Sequence, residues 1–200
     1  MLSLKAAAAP KCAEETPKQT AGPFYPGEDK FALENDLTVV AGAKSKPLGQ
    51  VVYVKGIVQD SECNPLSGVQ VEIWQACASG KYNNPTDPNT AALDPNFKYW
   101  GETISAADGS YIFKTIVPGA YPADTDWDRP PHIHFKLSKR GYHELITQMY
   151  WKGNPLNDED KILLNVPEHL RGDVIVDFQT NPQDPTTQVG TFNITLLKVR

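Results

Sequence analysis

The sequence predicts an all-β fold, a single-domain β-sandwich with active-site loops, an edge helix and an N-terminal arm. Three observations support this. Seventeen Pro and 14 Gly are spread through the 200 residues rather than clustered, which puts many turns between short elements. Residues 51–60 and 69–76 show the alternation of a half-buried strand, with Val69, Val71 and Ile73 sharing one face. Short β-prone runs then recur to the C-terminus with turn residues between them, and no internal repeat or composition shift marks a second domain.

The elements follow in order. Residues 1–47 read as an N-terminal arm, and its first 20 residues, interrupted by Pro and lacking apolar periodicity, are expected to carry no fold. Residues 48–200 form the sandwich domain. Its first two strands, 51–60 and 69–76, are joined by the turn-rich Ser61-Glu62-Cys63-Asn64-Pro65-Leu66-Ser67-Gly68 and read as a hairpin. Further strands are predicted at 99–105, 111–115, 132–138, 145–151, 174–179 and 192–199. One helix fits around 158–164, with Asn157 or Asp158 as its N-cap and Pro167 limiting its length.

Composition narrows the function. Nineteen basic against 24 acidic side chains give a net charge of -5 with no basic run, which argues against a nucleic-acid partner. No stretch reaches the roughly 18 consecutive apolar residues of a membrane span. The expectation is a cytoplasmic protein, the alternative being an exported one whose Ala-rich start is the remnant of a processed leader. A homo-oligomer is compatible with the sequence. Cys12, Cys63 and Cys77 cannot all pair within one chain and have no zinc-like spacing, so free thiols are the default. A Cys63–Cys77 bridge is disfavoured by their places around the predicted turn, and Cys12 is left to pair with either.

The segment Arg129-Pro130-Pro131-His132-Ile133-His134-Phe135-Lys136-Leu137 carries the chemistry. In an extended strand His132 and His134 project to one face, while Ile133, Phe135 and Leu137 anchor the other in the core. Two imidazoles so placed suit a metal, yet the pair alone is equally a pair of satisfied polar residues or a generic Zn, Cu or Fe site. Tyr82, in Ser79-Gly80-Lys81-Tyr82-Asn83-Asn84, and Tyr121, in Pro118-Gly119-Ala120-Tyr121-Pro122, lie in loops, where each taken singly reads as a packing cap. His143 and His169 read as surface residues, and Trp74, Trp100 and Trp151 as core or rim.

Taken together with Gln19-Thr20-Ala21-Gly22-Pro23-Phe24-Tyr25, Glu72-Ile73-Trp74-Gln75-Ala76, Leu93-Asp94-Pro95-Asn96-Phe97 and Leu145-Ile146-Thr147-Gln148-Met149-Tyr150, these segments resemble the intradiol ring-cleavage dioxygenases. The likeness runs over roughly residues 20–155 and is to the iron-bearing type of the protocatechuate 3,4-dioxygenase branch. It implies that Tyr82, Tyr121, His132 and His134 bind a mononuclear non-haem Fe(III), and that Arg129 and Gln148 line the substrate cavity. It further implies that Tyr121 serves as a base and Arg129 stabilises negative charge on the ring. The implied reaction inserts O2 between the two hydroxylated carbons of a catechol to give a cis,cis-muconate; the alternative is a non-catalytic β-sandwich binding module. The chain departs from that branch at Cys77, where Asp or Asn is usual, and at Ala123-Asp124, which replace a Trp-Arg pair. Phenolate oxygens suit a hard ferric ion, and two of them with a hydroxide balance its three charges.

Overall fold

The computed structural model describes residues 14–27 and 33–199. Twelve strands among these residues build two five-stranded sheets and one separate hairpin. In the first sheet β1 (Val51–Asp60) is flanked by β4 (Ser110–Ile116) on one side, antiparallel, and on the other by β11 (Asp184–Thr191) and β12 (Ile194–Leu196), both parallel, with β10 (Phe178–Asn181) at the edge. The second sheet runs β3 (Trp100–Ile104), β2 (Gln70–Trp74), β7 (His132–Ser138), β8 (Leu145–Trp151) and β9 (Ile175–Val176). The hairpin is β5 (Tyr121–Asp124) with β6 (Trp127–Arg129).

The sheets meet through their apolar faces. Val54, Val58, Phe113, Phe192 and Ile194 of the first pack in one core with Val71, Ile73, Ile133, Phe135 and Leu137 of the second. Phe135 reaches across to Phe192, edge to face with centroids 5.0 Å apart. Each such side chain contributes about 1.5–3 kcal/mol by leaving water. Because β7 commits Ile133, Phe135 and Leu137 to this core, pleating turns His132 and His134 to the opposite face. The alternation read from the sequence is therefore what fixes the site on the outside of the second sheet.

Several expectations need correction. The strands 51–60 and 69–76 form, but not as a hairpin. After the turn at Asp60, whose carboxylate accepts from the backbone N–H of Glu62 and Asn64, the chain returns beside β1 only as far as Leu66. Ser105 then captures it, donating to the Leu66 carbonyl and accepting from Val69 N–H, so β2 pairs with β3 in the other sheet. The predicted strand 174–179 is divided, Ile175–Val176 joining one sheet and Phe178–Asn181 the other. The helix is Lys161–Leu164, capped by Asp160 rather than Asn157 or Asp158; Asn154 caps a 3-10 turn before it, Pro155–Asp158. Cys77 is a buried free thiol, whereas Cys63 is disulfide-bonded, against the default. Cys12 lies outside the described residues.

The arm is also not separate. Residues 1–13 are outside the described set, but residues 14–20, expected to carry no fold, lie against the sandwich. Thr16 exchanges hydrogen bonds with the backbone of Thr195, and Gln19 N–H donates to the Ile146 carbonyl at 2.8 Å. Between positions 33 and 47 the backbone of Glu34, Asn35 and Leu37 bonds to that of Glu102, Lys114 and Lys98, and the Leu37 side chain is fully buried. Leu37→Ala is accordingly expected to cost about 2–5 kcal/mol in a denaturant titration. Val39→Ala, at a position 58% exposed, should stay within about 0.5 kcal/mol of the parent.

Candidate metal centre

Three pieces of chain bring four rings together. His132 and His134 come from β7, with centroids 4.9 Å apart. Tyr82 comes from the loop after β2, whereas Tyr121, expected in a loop, opens β5; the segments leading to them run backbone against backbone, the carbonyl of Cys77 accepting from both Gly80 N–H and Gly119 N–H at 2.9 Å. A Cβ on Gly80 would stand 2.3 Å from the Ala120 carbonyl oxygen, and one on Gly119 would stand 2.5 Å from that of Ala78. Only glycine allows this approach, which explains the Gly before each tyrosine. Asp87 then fixes Tyr82 by accepting its backbone N–H at 2.7 Å.

The result is one cluster. Tyr82 and Tyr121 meet edge to face at 5.5 Å, Tyr121 and His132 at 5.7 Å, and Tyr82 and His134 at 6.2 Å. All four residues are buried, and the Tyr82 hydroxyl lies 3.3 Å from His132 Nε2. His134 stacks on Trp74, its neighbour across β2, at 4.7 Å and 7°. The four rings expected from the sequence thus lie next to one another. Among the described residues no group of three or more His, Cys, Asp or Glu side chains could hold a metal, so the tyrosines are needed to complete any set.

The electrostatics fit a cation. His132 Nδ1 lies 2.7 Å from the Pro130 carbonyl, which can only accept, so the proton is on Nδ1 and Nε2 keeps a free electron pair. Burial, reinforced by Arg129, holds both imidazoles neutral by pushing their pKa values well below the ordinary histidine range. Burial likewise raises Tyr82, with Tyr121 adding to the effect, and raises Tyr121. Their phenolates therefore require a positive ion at hand. Two neutral nitrogens and two latent phenolates, all buried, suit a hard, highly charged ion better than a soft one.

Arg129 is buried beside this cluster. Its Nε donates to Asp160 Oδ2 at 2.6 Å, and its Nη2 to Gln148 Oε1 at 2.7 Å and to the Tyr150 hydroxyl at 3.3 Å. Burial alone would lower its pKa, but Tyr150, Tyr121 and Asp160 outweigh that and raise it. Its ion-pair partner is Asp160 rather than the adjacent acids of the hairpin, of which Asp126 faces Lys161. Trp127 lies between two cations, Arg129 at 5.5 Å and Lys161 at 5.0 Å from its ring. Gln148 is fully buried with both ends of its amide in use, Oε1 on Arg129 and Nε2 on the Thr20 carbonyl at 2.8 Å.

Sequence reasoning overlooked several residues here. Tyr150 stands two positions after Gln148 on the same strand, opposite His132, so its direction was legible. Asp160 had only the signal of an acid before a short helical run. Phe24, 4.8 Å from Tyr82 and 6.3 Å from Tyr121, lies in a motif whose members had been given no role.

Asp160 joins two tasks, since its Oδ1 accepts from Ile162 N–H and Leu163 N–H while Oδ2 holds Arg129. Asp160→Ala should cost about 3–5 kcal/mol in the urea unfolding free energy, because it leaves a buried guanidinium unpaired. The double variant Arg129→Met with Asp160→Ala should lose about 1–3 kcal/mol less than the sum of the two single losses.

Comparison with known proteins agrees with this geometry. A sequence profile described as dioxygenase matches residues 20–197. The chain is 40% identical over 179 residues to a protocatechuate 3,4-dioxygenase beta chain of Burkholderia cepacia, covering 87% of this chain and 76% of that one. It is 32% identical to a catechol 1,2-dioxygenase of Candida albicans, covering 79% of this chain but 52% of that protein's length. Among solved structures it is similar to the dioxygenase domain of a carbohydrate-binding fusion protein from Streptomyces sp. SirexAA-E, with TM-score 0.70 and 28% identity, covering 93% of this chain and 100% of that one. A 3-chlorocatechol 1,2-dioxygenase from Rhodococcus opacus 1CP shares the fold at TM-score 0.72 and 24% identity, covering 92% and 73%. The chain carrying this buried tyrosine–histidine cluster belongs to the intradiol ring-cleavage dioxygenases, enzymes of the protocatechuate 3,4-dioxygenase branch.

Proposed function

We propose that this enzyme cleaves a catechol between its two hydroxylated carbons, taking up O2 and giving a cis,cis-muconate, with a single ferric ion held by Tyr82, Tyr121, His132 and His134. The observation that carries the reading is the convergence of those four buried side chains, with His132 Nε2 directed at the Tyr82 hydroxyl. The family is generally iron-dependent, which supports iron over other metals. The substrate class follows relatives named for protocatechuate and catechol.

A ferric ion held by Tyr82, Tyr121, His132 and His134 would supply Lewis-acid and redox chemistry to the catechol and O2. The protein's own groups do the rest. Tyr121 Oη, as a phenolate, accepts one catechol proton, and burial favours the protonated phenol that results. Arg129 presents a guanidinium that stays charged and places positive charge beside the ring carbon that becomes electron-rich. Gln148, with no free polar atom, holds Arg129. Phe24 packs against Tyr82 and Tyr121 on one side of the cluster.

Purified enzyme should contain about one iron per chain and show a visible tyrosinate-to-iron charge-transfer band. Tyr82→Phe should lose both, as read by metal analysis and absorption; full ferric iron with an unchanged band would remove Tyr82 from the site. Products identified by mass spectrometry and NMR should be muconates, and a hydroxymuconic semialdehyde would overturn the intradiol assignment. Arg129→Ala should retain iron and colour yet lose on the order of 100- to 1000-fold in turnover. Near-parental turnover in the iron-replete variant would defeat its catalytic role.

A further inference from the structure

Residues 14–27 form a strap across the outer face of the second sheet, and Gln19 on this strap meets the network around Arg129. Its Nε2 donates to the Gln148 carbonyl at 2.9 Å and to Thr147 Oγ1 at 3.2 Å. Its Oε1 accepts from the Tyr150 hydroxyl at 2.8 Å. That hydroxyl has one proton and three neighbours: Gln19 Oε1, Gln148 Oε1 at 3.2 Å and Arg129 Nη2 at 3.3 Å. With the proton on Gln19, the Tyr150 oxygen turns lone pairs to the guanidinium, and Gln148 Oε1 is left to Arg129 alone. Without Gln19 the neighbour left to take the proton is Gln148 Oε1, which then divides its two lone pairs between Tyr150 and Arg129 instead of giving both to the guanidinium.

We propose that Gln19 is a positioning residue of this enzyme, orienting the Tyr150 hydroxyl so that both Tyr150 and Gln148 accept from Arg129 and hold its guanidinium against the site. The strap fixes the second acceptor as well, because the Thr20 carbonyl takes Gln148 Nε2 and so determines which end of that amide faces Arg129. A neighbouring pair of strap residues thus sets the proton arrangement of a network whose other members lie on β6, on β8 and at the N-cap of the short helix. Gln19 is half-buried and its side chain bonds to Thr147, Gln148 and Tyr150, so its effect on the reaction is read through Arg129, which the last two hold. The inference rests on the catalytic role proposed for Arg129.

The test compares Gln19→Leu, Arg129→Ala and the double variant in iron-loaded enzyme. Gln19→Leu should keep its iron and charge-transfer band and its KM for catechol while losing on the order of 10- to 100-fold in kcat, since a small misplacement of a catalytic group costs that much. In the Arg129→Ala background the same change should cost nothing further. The exposed neighbour Lys18→Ala should match the parent. Should Gln19→Leu fail to fold, Tyr150→Phe, which removes only the hydroxyl, is expected to give the same kcat loss and the same silence beside Arg129→Ala. Parental kcat in Gln19→Leu, or effects that multiply in the double variant, would overturn the proposal. A crystal structure of Gln19→Leu supplies a readout apart from activity: the Arg129–Gln148 contact should lengthen or break, and an unchanged guanidinium would overturn the proposal even if turnover fell. Absence of ring cleavage in the parent would instead strike the functional reading, leaving the crystallographic result to decide the positioning.

Discussion

The buried ion pair between Arg129 and Asp160 is the constraint on which the rest of the site depends. A guanidinium out of water needs partners, and here Nε and Nη2 meet a carboxylate at the start of the short helix and an amide oxygen and a phenol that are both on β8. Each partner is held by something else: Asp160 by the helix it caps, Gln148 by the strap, Tyr150 by its place opposite His132. A single desolvated charge thereby ties the hairpin, the short helix, the second sheet and the N-terminal strap into one arrangement. Its field also keeps the two imidazoles unprotonated, which is the state in which they bind a metal.

The two faces of β7 divide the labour of this sheet. One face contributes Ile133, Phe135 and Leu137 to a core that also includes both sheets' aromatic residues. The other presents His132 and His134 to a smaller aromatic cluster of Trp74, Tyr82 and Tyr121, against which Phe24 and Tyr25 of the strap are packed. Rigidity on the first face is what makes the second precise enough for chemistry. Tyr25 extends this outward, its hydroxyl donating to buried Glu72 while its ring meets Trp74 edge to face, and Trp74 in turn lies flat on His134.

Much of this was legible from residue order, because strand periodicity is a local signal. Alternation in 132–138 placed the histidines on one face, and the same rule applied to 145–151 puts Gln148 and Tyr150 beside them. What local pattern could not show was partnership across the chain. The polar run Asp184-Pro185-Thr186-Thr187-Gln188-Val189-Gly190-Thr191 has little apolar alternation and a proline, yet it forms a strand because β1 offers it an edge. The departure of β2 from β1 depends on Ser105, far along the chain. The strap looked structureless since its residues have no periodicity of their own; they are ordered by hydrogen bonds to β8 and β12, not by a face of their own to bury. Asp160 was hidden for the same reason, its partner being 31 positions away.

The β5–β6 hairpin pairs its strands with neither large sheet, and its first and last residues, Tyr121 and Arg129, are directly paired. Everything chemically essential in it is therefore at its two ends, while 122–128 form an exchangeable tip anchored by Trp127 between two cations. Within it Ala123, Thr125 and Asp126 take no part in the ladder, so changes confined to them keep the pairing of Tyr121 with Arg129 and the Trp127 contact. For protein engineering this makes it a cassette: grafting alternative tips between fixed ends would alter what borders the reacting centre while leaving the scaffold, and the cluster of four rings, as they are.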